Sequence, residues 1–207
     1  MSPPRTLYTI GHSSQSIGEL IGPLQQHGIE TLADVRSVPY SRRYPHFSRE
    51  ALQKSLIVAG IRYLFLGREL GARRDEPECY CDERASYGEI LKLANFQRGI
   101  EMLLAAAQQR RLAIMCSEKD PLACHRTILI GRELLRHGLE IRHIGQGGAI
   151  ESHRDAERRL IAEELGGSDQ KDLFPDAVDD AARLEQAYSR RAHRIAYRRD
   201  APRQTTP

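Results

Sequence analysis

The clearest change of hydrophobic pattern along the chain runs from Leu112 to Leu135. Leu112-Ala113-Ile114-Met115 is a short continuous apolar run, with the length and character of a buried strand. A polar stretch follows. Apolar residues then return at helical spacing, at Ile128, Leu129, Leu134 and Leu135. The pattern predicts strand, loop and helix, with Cys116 where the loop starts and Cys124-His125-Arg126 where the helix opens. A loop at the carboxyl end of a parallel strand is where open α/β folds hold ligands.

The same two periods alternate elsewhere. Strand-like runs fall at Leu7 to Ile10, Thr31 to Val35, Ile61 to Leu66 and Glu140 to Ile144. Between the first two, Ser16 and Glu19 have capping-box spacing ahead of a stripe of Ile17, Leu20, Ile21 and Leu24. Pro23 inside that stripe predicts a kink or a helix in two pieces. Ser48 is a candidate cap for a helix to Ala59, Asn95 for one to about Gln109, and Ser152 to Leu165 reads as another helix. Gly67 to Gly88 reads as a long polar loop, Gly166 to Pro175 as a linker, and Ala177 to Arg199 as a charged helix. Strand and helix in regular alternation imply an α/β fold: a three-layer α/β/α sandwich with a mostly parallel sheet of about five strands and a helical C-terminal extension. The expected division is residues 1–165 for the α/β domain and 166–207 for the arginine-rich extension.

Composition narrows the setting. The chain of 207 residues is 40% hydrophobic and 29% charged, enough for a core in a soluble domain. No apolar run approaches the ~20 residues that cross a bilayer. Met1 to Arg5 carries no secretory apolar segment, so no membrane association and a cytoplasmic location are expected. In that setting the four cysteines, Cys79, Cys81, Cys116 and Cys124, read as catalytic, metal-bound or simply buried rather than cross-linked. Cys79 and Cys81 are expected to be exposed loop thiols. The spacings fit neither zinc ribbon nor zinc finger, so no metal is expected. There is no dinucleotide fingerprint and no Walker loop, so no cofactor is expected either. The net charge of +3 decides nothing. Its distribution says more. Arg183, Arg190, Arg191, Arg194, Arg198, Arg199 and Arg203, with Tyr188 and Tyr197 among them, suit either a phosphate backbone or a solvated helical face.

The chemistry concentrates at strand ends. A helix start lowers the pKa of a cysteine and favours an anion, which fits Cys124 and Arg126. Arg126 is expected to fork onto a phosphate, sulfate or carboxylate, and His125 to transfer protons. Cys124 or Cys116 is the candidate nucleophile. Asp34 and Arg36 end the second strand on the same edge. There Asp34 is placed to orient His125, to act as a base or to pair with an arginine, and Arg36 to hold an anion. Gly11-His12-Ser13 ends the first strand, as another ligand-edge loop.

These motifs together resemble a known family. Tyr8-Thr9-Ile10-Gly11-His12-Ser13, Asp34-Val35-Arg36 with Pro39 and Ser41, Leu66-Gly67 with Gly71, and Cys116-x-Glu118 with Cys124-His125-Arg126 are similar to the motifs of domain of unknown function 488. The resemblance runs from about Leu7 to Ile144. It implies the α/β fold and supports treating His12, Asp34, Arg36, Cys124, His125 and Arg126 as one site, with Ser13, Ser41 and Glu118 as further binding residues. The family's description names no activity. A looser likeness, to rhodanese-type sulfurtransferases, rests on the strand-end Asp-x-Arg and a cysteine ending a later strand. The interval from Cys116 to Arg126 is too long for the tight anion cradle of those enzymes, and Pro121 interrupts it. The expectation is an enzyme, a hydrolase or transferase, acting on an anionic small molecule or nucleic acid. The alternatives are a non-catalytic nucleic-acid-binding module and rhodanese-like sulfur transfer.

Overall fold

The structure is a computed structural model that describes residues 5–166 and 177–199, with side chains of the second segment from 180 onward. In chain order its elements are β1 (Thr6–Gly11), α1 (Ile17–Gln26), β2 (Thr31–Asp34), α2 (Arg49–Val58), β3 (Arg62–Phe65), α3 (Gly67–Leu70), β4 (Tyr80–Cys81), β5 (Arg84–Ala85), α4 (Tyr87–Ile90) and α5 (Ala94–Gln109). They continue with β6 (Leu112–Cys116), a π-helical turn (Arg126–Gly131), α6 (Arg132–Arg136), β7 (Glu140–Ile144), β8 (Ile150–Ser152), α7 (His153–Leu165) and α8 (Ala177–Ile195). The main sheet has six strands in the order β3-β2-β6-β1-β7-β8. All its pairs are parallel except β7 with β8. None of the helices is long and apolar enough to cross a membrane, among the described residues.

Side-chain alternation assigns the layers. From β1 and β6, Tyr8, Ile10, Ala113 and Met115 pack with Leu20 and Leu24 of α1 and Leu52 and Leu56 of α2. Their neighbours Leu7, Leu112 and Ile114 face the other way, onto Phe96 and Ile100 of α5, Leu134 of α6 and Leu160 of α7. Both faces of β6 are therefore buried, which is why its sequence is continuously apolar. The chain leaves β1 toward α1 on one face and leaves β6 toward α6 on the other. Adjacent strands whose connections diverge in this way open a crevice at their carboxyl ends.

The three-layer architecture is as expected, and several local expectations change. The Ser16–Glu19 capping box is formed. The helix it starts runs unbroken through buried Pro23, so the expected division in two does not occur. Asn95 is not a cap. Helix α5 is capped at Leu93, and the Asn95 side chain donates to the Arg68 carbonyl instead. The stretch from Gly67 to Gly88 is structured, with two short helices and the β4–β5 hairpin, and Cys79 there is buried while Cys81 is exposed. Edge strand β8, three residues long, was not expected at all. The linker expected at 166–175 lies outside the described residues except for Gly166, and Arg203 lies outside them too.

A buried polar chain joins the sheet to the C-terminal helix. The Tyr188 hydroxyl donates to the Glu157 carboxylate at 2.9 Å and stands 2.8 Å from His153 Nε2. That fixes the direction of the remaining bonds. His153 Nε2–H donates to Tyr188, His143 Nε2–H donates to His153 Nδ1 at 3.2 Å, and Thr9 donates to His143 Nδ1 at 2.8 Å. Both imidazoles are neutral in this arrangement. Burial holds His153 down to about 4, and burial with the neighbouring His153 holds His143 well below its ordinary value. A histidine kept neutral in the fold stabilises fully above its unfolded value near 6.5 and loses that contribution as pH falls toward its folded value. Urea unfolding is therefore expected to show stability falling between about pH 6.5 and 4. His153 alone accounts for up to about 3 kcal/mol by pH 4. The slope in that window should be shallower in His153→Gln; equal slopes in variant and parent would refute this account.

Candidate functional site

The crevice between the ends of β1 and β6 is where the sequence motifs meet. The loop after β6 continues the parallel pairing beyond the strands. His12 N–H donates to the Cys116 carbonyl and Ser13 N–H to the Ser117 carbonyl. The loop then folds back over β1 so closely that a Cβ at Gly11 would lie 1.8 Å from the Glu118 carbonyl oxygen. Any side chain there would displace the loop. Gly67 is under the same constraint against the Arg36 carbonyl, at 2.0 Å.

Three buried donor groups converge. His125 Nδ1 lies 3.6 Å from Cys116 Sγ and 3.7 Å from Cys124 Sγ, and His125 Nε2–H donates to the Val35 carbonyl at 3.1 Å. The Arg126 backbone N–H points at Cys124 Sγ at 3.4 Å. Burial opposes ionisation of Cys124. The hydrogen bond from Cys116 and the charges of Arg126 and His125 outweigh it, holding this thiol well below the ordinary range. The same hydrogen bond, together with burial, pushes Cys116 well above it. For His125, burial is outweighed by the Cys124 charge and hydrogen bond, and its value rises. Desolvation and the Cys124 charge raise the Glu118 carboxyl.

The Asp34–Arg36 pair stands beside this cluster. Arg36 Nε and Nη2 donate to the two Asp34 oxygens at 2.9 and 2.6 Å, and the Tyr63 hydroxyl donates to Asp34 at 2.8 Å. Arg36 Nη1 donates to His12 Nε2 at 3.2 Å, because His12 Nδ1–H is committed to the Ser13 carbonyl at 2.9 Å. Burial and the Arg36 charge lower His12 to about 4, so it is a neutral acceptor. Of the five Arg36 N–H groups, one on Nη1 and one on Nη2 are left over.

A cavity of about 230 Å³ opens onto the cluster. Cys116, Cys124 and His125 line it together with Arg36, Arg73 and Glu118. Tyr87 from α4 and Tyr197 from the C-terminal segment line it too, with Ser37, Ala72, Ala123 and Ile195.

The expected site residues divide accordingly. Cys116, Cys124, His125, Arg36 and Glu118 line the cavity. Asp34 and His12 act on it through Arg36. Asp34 does not orient His125, whose partner is the Val35 carbonyl. Arg126 is buried, and its Nη1 and Nη2 donate to the Glu118 and Lys119 carbonyls at 2.7 and 3.1 Å. It clamps the loop instead of forking onto an anion. Ser13 contributes its carbonyl to His12, and Ser41 accepts the Tyr44 N–H in a turn. Neither lines the cavity. Arg73, Tyr87 and Tyr197 were missed in the sequence. Only chain folding brings them to the cavity, and no motif marks them.

The Asp34–Arg36 pair sets a measurable cost. Asp34→Ala leaves the buried guanidinium without its counter-charge and is expected to destabilise by about 3–5 kcal/mol. Tyr63→Phe removes one neutral donor from the same carboxylate and is expected to cost about 1–2 kcal/mol. Guanidinium-chloride unfolding of both variants checks the ranking. An Asp34→Ala variant as stable as Tyr63→Phe would contradict it.

Neither a curated protein nor a solved structure matches the chain. A family model does, that of the domain of unknown function DUF488, over residues 16–132. The match covers α1 through the π-helical turn and so contains Asp34, Arg36, Cys116, Cys124, His125 and Arg126; it begins after β1 and its Gly11-His12-Ser13. Spanning more than half of the 207 residues, it shows that the chain belongs to the DUF488 family.

Proposed function

We propose that this protein is an enzyme acting on an anionic, phosphate-bearing substrate, with Cys116, Cys124 and His125 as its reaction centre. One observation carries the reading: the three donor groups and the guanidinium groups of Arg36 and Arg73 line one cavity. Convergent polar groups in a concave pocket are the usual form of a reaction site. The volume, about 230 Å³, suits a phosphate ester group rather than a whole nucleotide. Arg36 has two N–H groups left for an anion and is fixed in place by Asp34, so little is lost in ordering it. Arg73 is exposed and lies over the Tyr197 ring at 4.8 Å, where it can turn toward a bound charge.

The nucleic-acid-binding alternative draws less support. Its arginines are mostly engaged within the fold. Arg191 donates to Glu163 and Glu164, Arg194 to Glu164, and Arg190 to the Glu164 carbonyl. Arg199 donates to the carbonyls of Arg74 and Asp75 and covers the Tyr80 ring.

Turnover of p-nitrophenyl phosphate, its diester and nucleoside monophosphates by the parent protein tests the proposal. Cys124→Ser and His125→Ala are expected to lower kcat at least ~100-fold while inorganic phosphate still binds. Arg73→Ala should chiefly raise KM. A parent that turns over none of these esters yet binds a random-sequence oligonucleotide, with both variants binding it equally, would establish the binding module instead.

A further inference from the structure

The reaction-centre residues have a geometry that neither thiol hydrogen bonding nor a nucleophilic cysteine requires. An imidazole nitrogen has a single lone pair or a single proton to offer. His125 Nδ1 nevertheless stands almost equally far from two sulfurs, 3.6 and 3.7 Å. One hydrogen bond would favour one partner. Two near-equal separations place the three atoms around a common centre.

The spacing matches a specific centre. Zinc binds thiolate sulfur at about 2.3 Å and imidazole nitrogen at about 2.0–2.1 Å, and tetrahedral angles then put sulfur and nitrogen about 3.6 Å apart. Among the described residues, Cys116, Cys124 and His125 have all three donor atoms within 4.8 Å of one another. All three are buried. The outer contacts agree with the same role. His125 Nε2–H is tied to the Val35 carbonyl, so once His125 is neutral its lone pair is on Nδ1, and metal-bound histidines are oriented in this way by backbone carbonyls. The Arg126 N–H directed at Cys124 Sγ stabilises charge on that sulfur.

We infer that Cys116 Sγ, Cys124 Sγ and His125 Nδ1 bind one zinc-class divalent cation, with its fourth coordination position open to the 230 Å³ cavity. Two thiolates neutralise a divalent charge, so the cluster can be buried without a net charge. A set of three protein ligands with one open position is the pattern of catalytic rather than structural zinc. Glu118, Arg36 and Arg73 line the same cavity, so a water or an anionic oxygen of substrate is the expected fourth ligand. The inference rests on the reading of this cluster as the reaction centre. It makes the two sulfurs ligands and removes them as attacking groups.

The spacing rule that argued against a metal applies to ligand pairs held on one turn or ribbon. Here the ligands come from the end of β6 and the start of the π-helical turn, and the intervening loop is held by other contacts. The separation of Cys116 and Cys124 in sequence therefore places no limit on their separation in space.

Cobalt(II) chloride titrated into the full-length chain, stripped with chelator and kept reduced, tests the inference directly. Binding should saturate at one cobalt per chain, with an intense near-ultraviolet thiolate-to-cobalt band and the visible bands of tetrahedral cobalt. Zinc chloride should displace it. Cys116→Ser, Cys124→Ser and His125→Ala should each weaken zinc binding at least ~100-fold, since even outer-contact changes cost ~10–100-fold. Cys81→Ser, at an exposed thiol outside the cluster, should bind as the parent does. Near-ultraviolet circular dichroism separates a misfolded variant from one that has lost only its ligand, and the cobalt spectrum of the parent needs no variant. A reduced parent that gives no thiolate-to-cobalt band overturns the metal site. So does a band that survives in the Cys116→Ser, Cys124→Ser double variant. The outcomes for the enzyme reading are separate. No metal, with phosphoester turnover lost in Cys124→Ser, keeps the reaction centre and overturns the metal. Metal bound, with turnover unchanged in the metal-free protein, keeps the metal site and overturns its place in the reaction.

Discussion

The return of the β6 loop over the end of β1 is the constraint on which the rest of the site depends. It brings Cys124 and His125, which begin a helix, back beside Cys116, which ends a strand. The loop is held from four directions. His12 and Ser13 extend the β1 ladder onto its carbonyls, and buried Arg126 closes on Glu118 and Lys119. Arg159 of α7 grips Asp120 with two N–H groups, and Arg191 of α8 reaches the Leu122 carbonyl. A polar loop this close to a sheet edge would leave carbonyls buried without donors, and the arginines supply the donors. Gly11 is what permits the approach. A methyl group there would push away the loop that leads to two of the three cluster residues, Cys124 and His125.

This explains why Arg126 is buried without a carboxylate partner. Carbonyl oxygens, each carrying partial negative charge, solvate its guanidinium, and the nearby Cys124 sulfur is the charge it favours. An arginine in this position is a poor candidate for a substrate ligand, because freeing it would release the loop. Arg36 is the contrasting case. Its charge is balanced by Asp34, its orientation is fixed by Asp34 and His12, and it still presents two N–H groups. Two arginines with the same formal chemistry thus divide into a clamp and an available donor, according to what each already holds.

The layers and most strands were legible in the sequence because they follow from period. A strand buried on both faces reads as Leu112-Ala113-Ile114-Met115, and α1 announces itself through Ser16 and Glu19. The motif residues at strand ends were legible for the same reason, since topology sends parallel strand ends to one edge. Direction and partner were not. Whether Arg126 meets an anion or a carbonyl, and whether Asp34 meets His125 or Arg36, depends on side-chain reach that no period encodes. Asn95 was misread because a capping residue and a side chain reaching to a distant carbonyl look alike in sequence. Edge strand β8 is three residues long, too short to show alternation.

The C-terminal segment was the least legible part, and it completes the cavity. Arginine-rich and weakly apolar, it reads as a solvated helix. Yet the residues just after α8 add to the β4–β5 hairpin as a strand does: Ala85 N–H donates to the Tyr197 carbonyl and Arg199 N–H to the Glu83 carbonyl, both at 2.8 Å. That pairing carries Tyr197 into the lining of the same cavity as the cysteines. The buried chain from Thr9 through His143 and His153 to Tyr188 anchors α8 at its middle, and Arg191 anchors it to the site loop. Each link requires a partner in place: a neutral imidazole donates only if the next group accepts, and buried Arg191 is held beside the Glu163 and Glu164 carboxylates. The charge of α8 is therefore spent on fixing the helix against the domain. The enclosure of the cysteine–histidine cluster depends on that docking as much as on the family motifs, which lie in a different stretch of the chain.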